Sequence, residues 1–84
     1  MISYTIIEEP YGTDIHRFKL NDNSAVIEVV ETPTRIYYNV TRNGMIEKEL
    51  DHRQFITHYY EYNDGSPFGI LVYRANELYL ELTE

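Results

Sequence analysis

Gly69-Ile70-Leu71-Val72-Tyr73-Arg74-Ala75-Asn76-Glu77-Leu78-Tyr79-Leu80-Glu81-Leu82-Thr83 sets the strand count of this 84-residue chain. Apolar and aromatic residues fill both halves, and Ala75-Asn76 offers a turn between them. The segment therefore reads as a hairpin of strands 69–74 and 77–83. A two- or a four-residue loop gives one pairing, Tyr73 with Leu78 and Leu71 with Leu80, and these form an inner face with Leu82. The outer face then carries Ile70, Val72 and Tyr79 among Arg74, Glu77 and Glu81. With apolar residues on both faces, the hairpin is expected to meet core on one side and a partner on the other.

Upstream, Asp51-His52-Arg53-Gln54 is a helix start, because Asp51 can cap and Gln54 stands at the capping-box spacing. Phe55, Ile56, Tyr59 and Tyr60 follow as a helical stripe, so a short helix is expected over 52–62. Asn63-Asp64-Gly65 and Pro67 end it. A strand over 54–62 stays open as an alternative, since Thr, Tyr and Ile favour sheets. Before it, 35–42 and 45–50 form a hairpin about Asn43-Gly44. A two-residue loop would set Val40 opposite Glu47 and Tyr38 opposite Glu49. A three-residue loop, Arg42-Asn43-Gly44, sets Val40 opposite Ile46 and Ile36 opposite Leu50, and partners that share a face favour it.

Three further strands, 2–8, 14–20 and 25–31, are separated by Pro10-Tyr11-Gly12 and Asn21-Asp22-Asn23-Ser24. In the second, His16, Phe18 and Leu20 alternate with Ile15, Arg17 and Lys19, which puts the bases outside. The expected fold is a single α+β domain over 1–84. It has five to seven antiparallel strands and one short helix, with barrel-like closure as an open alternative.

Charge and composition narrow the function. Fourteen acids against seven bases give a net charge of −7, and the chain has nine tyrosines but no cysteine or tryptophan. Sequence-independent nucleic-acid binding needs cations to release counterions from phosphates, so direct nucleic-acid binding is not expected, and anionic membranes are disfavoured likewise. The longest apolar run, Ile70–Tyr73, is too short to span a bilayer, and Met1–Thr5 lacks a basic signal-peptide start. The expected setting is the cytoplasm, that of a host cell if the protein is viral.

No constellation carries chemistry. His52 and His58 stand six apart, whereas paired metal ligands on a helix prefer four. Ser66 lacks the strand-turn-helix setting of a nucleophile elbow. Pairs such as Glu8-Glu9, Glu47/Glu49 and Glu77/Glu81 arise by chance among fourteen acids, and the four glycines form no phosphate loop. No catalytic residue, metal or cofactor is expected, and the protein reads as non-enzymatic.

The tyrosines are the remaining signal, because tyrosine supplies amphipathic contact area at low rotamer cost. Tyr4, Tyr38, Tyr60 and Tyr73 fall on expected inner faces. Tyr37, Tyr62 and Tyr79 fall outside, near Glu47, Glu49, Glu77 and Glu81, and these seven form the expected partner-binding set. Aromatic rings rimmed by carboxylates suit a basic protein partner. The leading expectation is an inhibitor from a virus or mobile element that blocks a basic surface, such as the nucleic-acid site of a nuclease or defence complex. Phosphate mimicry demands segregation of charge: a domain roughly 30 Å across matches about 18 phosphates of duplex. The last 24 residues carry five acids against Arg74 alone. The alternatives are a toxin-neutralising immunity or antitoxin protein, and a structural or assembly subunit that forms a homo-oligomer.

Overall fold

Turn chemistry lays out the sheet. The computed structural model describes residues Met1–Glu84. It has five strands, β1 (Ile2–Glu9), β2 (Thr13–Leu20), β3 (Ala25–Glu31), β4 (Ile36–Arg42) and β5 (Met45–Leu50), then α1 (His52–Tyr59) and α2 (Pro67–Thr83). A tight turn, Pro10–Gly12, with Tyr11 at φ 66° and Gly12 at φ 79°, joins β1 to β2, and a 3-10 turn, Tyr60–Tyr62, follows α1. At the β2–β3 turn Asp22 Oδ1 accepts hydrogen bonds from the Ser24 N–H and hydroxyl, while Asn23 takes φ 64°. The strands form an antiparallel meander in the order β1-β2-β3-β4-β5. The sheet is open, with β1 and β5 as edges, and not the closed barrel held as an alternative.

The β4–β5 register corrects the three-residue loop. Asn43 at φ 49° and Gly44 at φ 83° make a two-residue turn, so Arg42 pairs with Met45 and Val40 with Glu47. Continued unchanged, this register would put Glu49 on the core side opposite Tyr38. A bulge intervenes: Glu49 adopts φ 57°, its N–H donates to Asn39 Oδ1, and Leu50 opposes Tyr38 instead. A left-handed non-glycine residue costs about 1–2 kcal/mol, which burial of a leucine, worth about 1.5–3 kcal/mol, offsets. The apolar face is thus restored by a bulge and not by the turn.

The larger correction concerns residues 69–83, which form α2 and not a hairpin. Ser66 caps it through Gly69 N–H, and Pro67 occupies the first turn, where no N–H is needed. Phe68, Leu71, Val72 and Ala75 are buried along one stripe, and Leu78, Tyr79 and Leu82 extend it half-buried. A helix buries this stripe on one side, whereas a hairpin would split it between two faces. The domain therefore has five strands and two helices. α1 starts where the capping box placed it, with Asp51 and Gln54 bonding reciprocally.

Both helices pack on one face, α2 over β2 and β3 and α1 over β4 and β5. Between them lies a single core cluster in which Tyr38 and Phe55 stack at 3.8 Å and 3°. β1 lies beyond the helices, so Tyr4 and Ile6, on the core side by alternation, remain 41% and 53% exposed.

Candidate binding surfaces

The seven residues expected to bind a partner fall on separate surfaces. Tyr37 and Glu49 share the helix-free face, where Arg35 lies 4.5 Å above the Tyr37 ring and pairs with Glu49 at 2.8 Å. Glu47 points to the helix side, half-buried, where it accepts from the Tyr59 hydroxyl and meets His58 Nδ1 at 3.2 Å. Tyr62 packs edge-on against Phe68 at 5.0 Å, with the Arg42 guanidinium 4.4 Å from its ring. Tyr79 stacks on His52 at 4.2 Å and neighbours Tyr38 at 5.7 Å, the three rings forming one cluster. Only Glu77 and Glu81 stand together in solvent, one turn apart on the outer side of α2. Truncation of Tyr79 would therefore disturb packing between the helices, not an outer contact.

Helical geometry turns other tyrosines outward. In a strand Leu71 and Tyr73 share a face, but on a helix they lie about 200° apart. Tyr73 is accordingly 55% exposed while Leu71 is buried. The 3-10 turn starting at Tyr60 likewise rotates that ring away from the stripe, leaving it 72% exposed. Tyr60 and Tyr73, both expected inside, instead line a groove of about 320 Å³ between α1 and α2, together with Ile56, Val72, Asn63 and Asn76. Leu80 is 45% exposed farther along α2, whereas Ile70, equally exposed, faces the other flank of the helix beside Ile2 and Leu20. A 3.6-residue reading of 67–83 is the signal that would have found Tyr73.

Charge is sorted between the two faces. Arg17, Lys19 and Arg35 lie on the helix-free face, where Glu28 answers Arg17 at 2.7 Å and Asn39 bonds Glu28. On the helices and their junction, the acids Glu61, Asp64, Glu77, Glu81 and Glu84 outnumber Arg53 and Arg74. Asp64 is held below the usual carboxylate range by hydrogen bonds from the Ser66 hydroxyl and N–H. It therefore keeps its charge beside the groove into mild acid.

Buried phenols supply the remaining electrostatics. Burial raises Tyr38 above an ordinary phenol, with Tyr79 adding to it. Burial, then the hydrogen bond to Glu47, raises Tyr59. A folded-state pKa above the unfolded value means that protonation favours folding. This stability is complete below about pH 10 and is lost as pH rises past it, by up to about 1.4 kcal/mol per unit for each such tyrosine. Thermal unfolding followed from pH 8 to 12 should show this decline. Tyr59→Phe should make it shallower.

No helix is long and apolar enough to cross a membrane. Comparison with protein-family models, curated proteins and solved structures finds no match to this chain.

Proposed function

We propose that this protein is a small non-enzymatic binder that blocks a basic surface of a target protein, and that it does so with its helix layer. One observation carries the reading: two exposed tyrosines, Tyr60 and Tyr73, flank an apolar groove, and Glu61 and Glu77 adjoin them. Tyrosine is among the residues most enriched as interface anchors, and carboxylates beside such rings favour cationic partners through association rate and register. α2 carries Glu77 and Glu81 against the single base Arg74, and Glu84 follows it. An inhibitor of a nuclease or defence complex, acting in the cytoplasm, is the setting we infer, and a neutralised toxin would present the same chemistry.

The test begins with capture of a partner from lysate on the immobilised protein, eluted by graded salt. Against the purified partner, Tyr60→Ala with Tyr73→Ala should weaken binding at least tenfold, about 1.4 kcal/mol. Tyr11→Ala, in the β1–β2 turn and 95% exposed, should leave it unchanged. Equal effects from both would overturn the reading. Added duplex DNA should compete if the carboxylates stand in for phosphates.

A second reading, self-association, has β1 in its favour. Its edge runs uncharged from Ile2 to Ile7 with no proline, lysine or bulge, whereas β5 carries Lys48 and the Glu49 bulge. Long apolar edges invite pairing with another strand. Light scattering at about 100 μM should give twice the 10.0 kDa chain mass if β1 pairs with its copy; the monomer mass would remove this reading.

A further inference from the structure

The helix-side face of the sheet ends in a row that the groove does not use. Glu8, Asp14 and Glu31 are direct cross-strand partners on β1, β2 and β3, so three carboxylates stand side by side. Like charges placed opposite one another destabilise a sheet. No lysine or arginine pairs with any of the three. Arg35, in the adjoining turn, is drawn to the other face by Tyr37 and Glu49.

α2 adds to the negative potential there. Its Arg74 lies over Phe18, and its Tyr79 stacks on Tyr38, one pair nearer the acidic row. The turn beyond Tyr79 carries no base, and its Glu81 acts on this end of the sheet: burial, then the Glu81 charge, raises the Tyr4 phenol.

His16 points the same way. It neighbours Asp14 on this face and is only 7% exposed. Its Nδ1 bonds the Tyr4 hydroxyl at 2.8 Å, while Nε2 has no hydrogen-bond partner and lies 3.7 Å from Glu31 Oε1. A buried ring nitrogen without a hydrogen-bond partner, facing the Glu31 carboxylate beyond hydrogen-bond distance, is a cost that a bound donor would remove. Beside it the exposed parts of Tyr4 and Ile6 form an apolar wall.

We propose that this end of the sheet is a binding site for an arginine side chain of the partner protein. It rests on the reading above that the partner is basic. The ligating side chains do not converge as a metal shell requires, but strands spaced about 4.8 Å apart suit a planar cation. A guanidinium presents five N–H donors in a fixed fork, enough to bridge carboxylates on adjacent strands, whereas an ammonium is a compact point charge. With its proton on Nδ1, donated to the Tyr4 oxygen, His16 offers Nε2 as a further acceptor. The arginine stem lies along Ile6 and Tyr4.

The experiment titrates the protein with N-acetyl-arginine amide and N-acetyl-lysine amide, followed by amide and histidine NMR signals. The arginine amide should shift Asp14, His16 and Glu31 saturably, at least threefold more tightly than the lysine amide. Asp14→Asn should weaken it at least fivefold and leave the unfolding temperature equal or higher, since one repulsion is gone. Glu31→Gln should weaken it likewise. Equal response to both amides, or shifts spread over all acidic residues, would overturn the site. Partner binding that survives Asp14→Asn undiminished but is lost in the Tyr60→Ala, Tyr73→Ala variant would also overturn it, while leaving the groove reading intact.

Discussion

Phe55→Ala should cost about 3–5 kcal/mol, at least a quarter of the roughly 4–12 kcal/mol available to a domain of this length. The ring is fully buried, stacks on Tyr38 at 3.8 Å, and meets Tyr59 at 5.4 Å. It joins α1 to the centre of β4, so its removal opens a cavity lined by groups that the sheet and the capped helix hold apart. Collapse cannot fill it. Tyr38→Phe provides the contrast on the other side of the same stack. The Tyr38 hydroxyl is buried without a hydrogen-bond partner, so deleting it removes an unsatisfied polar group and leaves the stack intact. Its expected effect is neutral to about 1 kcal/mol stabilising. Urea unfolding followed by circular dichroism checks both. A Tyr38→Phe loss above about 1 kcal/mol would mean that the hydroxyl has a partner, and a Phe55→Ala protein that keeps most of its stability would mean that α1 is not anchored there.

Where one local signal and one burial pattern agree, the sequence is legible. His16, Phe18 and Leu20 alternate with outward bases, and all three are buried. The Asp51–Gln54 box starts α1 because its two hydrogen bonds are internal to four residues and need no tertiary help. Residues 69–83 are different. Leucine and tyrosine serve either period there, and the hydroxyl cap followed by proline at 66–67 also fits the ending of the helix before it. Tertiary context decides: the stripe from Phe68 to Leu82 has β2 and β3 to cover. That one change of period moves Tyr73 outward and Tyr79 inward, so the expected binding set disperses while Glu77 and Glu81, four apart, stay exposed under either period. The bulge at Glu49 was illegible for a related reason. Turn preference and face matching demanded different registers, and the chain satisfies both by spending one residue between them.

Gly69→Ala is the substitution that joins stability to the proposed surface. On helix propensity alone alanine should stabilise α2 by about 1 kcal/mol. Position 69, however, is where α2 passes the turn that follows α1. A methyl group there would overlap the Tyr62 carbonyl oxygen and stand 2.8 Å from Asp64 Oδ1 and 3.2 Å from Ser66 Oγ. The carboxylate can swing away, but the carbonyl belongs to the 3-10 backbone and cannot, so α2 must shift. The net expectation is a loss of about 1–3 kcal/mol or more, against about 1–2 kcal/mol for alanine at Gly65, where φ is +78° but the surrounding space is open. Because Gly69 also lines the groove, the shift separates Tyr60 from Tyr73. Partner affinity should therefore fall in Gly69→Ala even at temperatures where the protein is fully folded, and should not fall in Gly65→Ala. Calorimetric unfolding of both variants, paired with binding measured well below their transitions, distinguishes this from a simple loss of stability. A neutral or stabilised Gly69→Ala would mean that the two helices do not approach as closely as the groove requires.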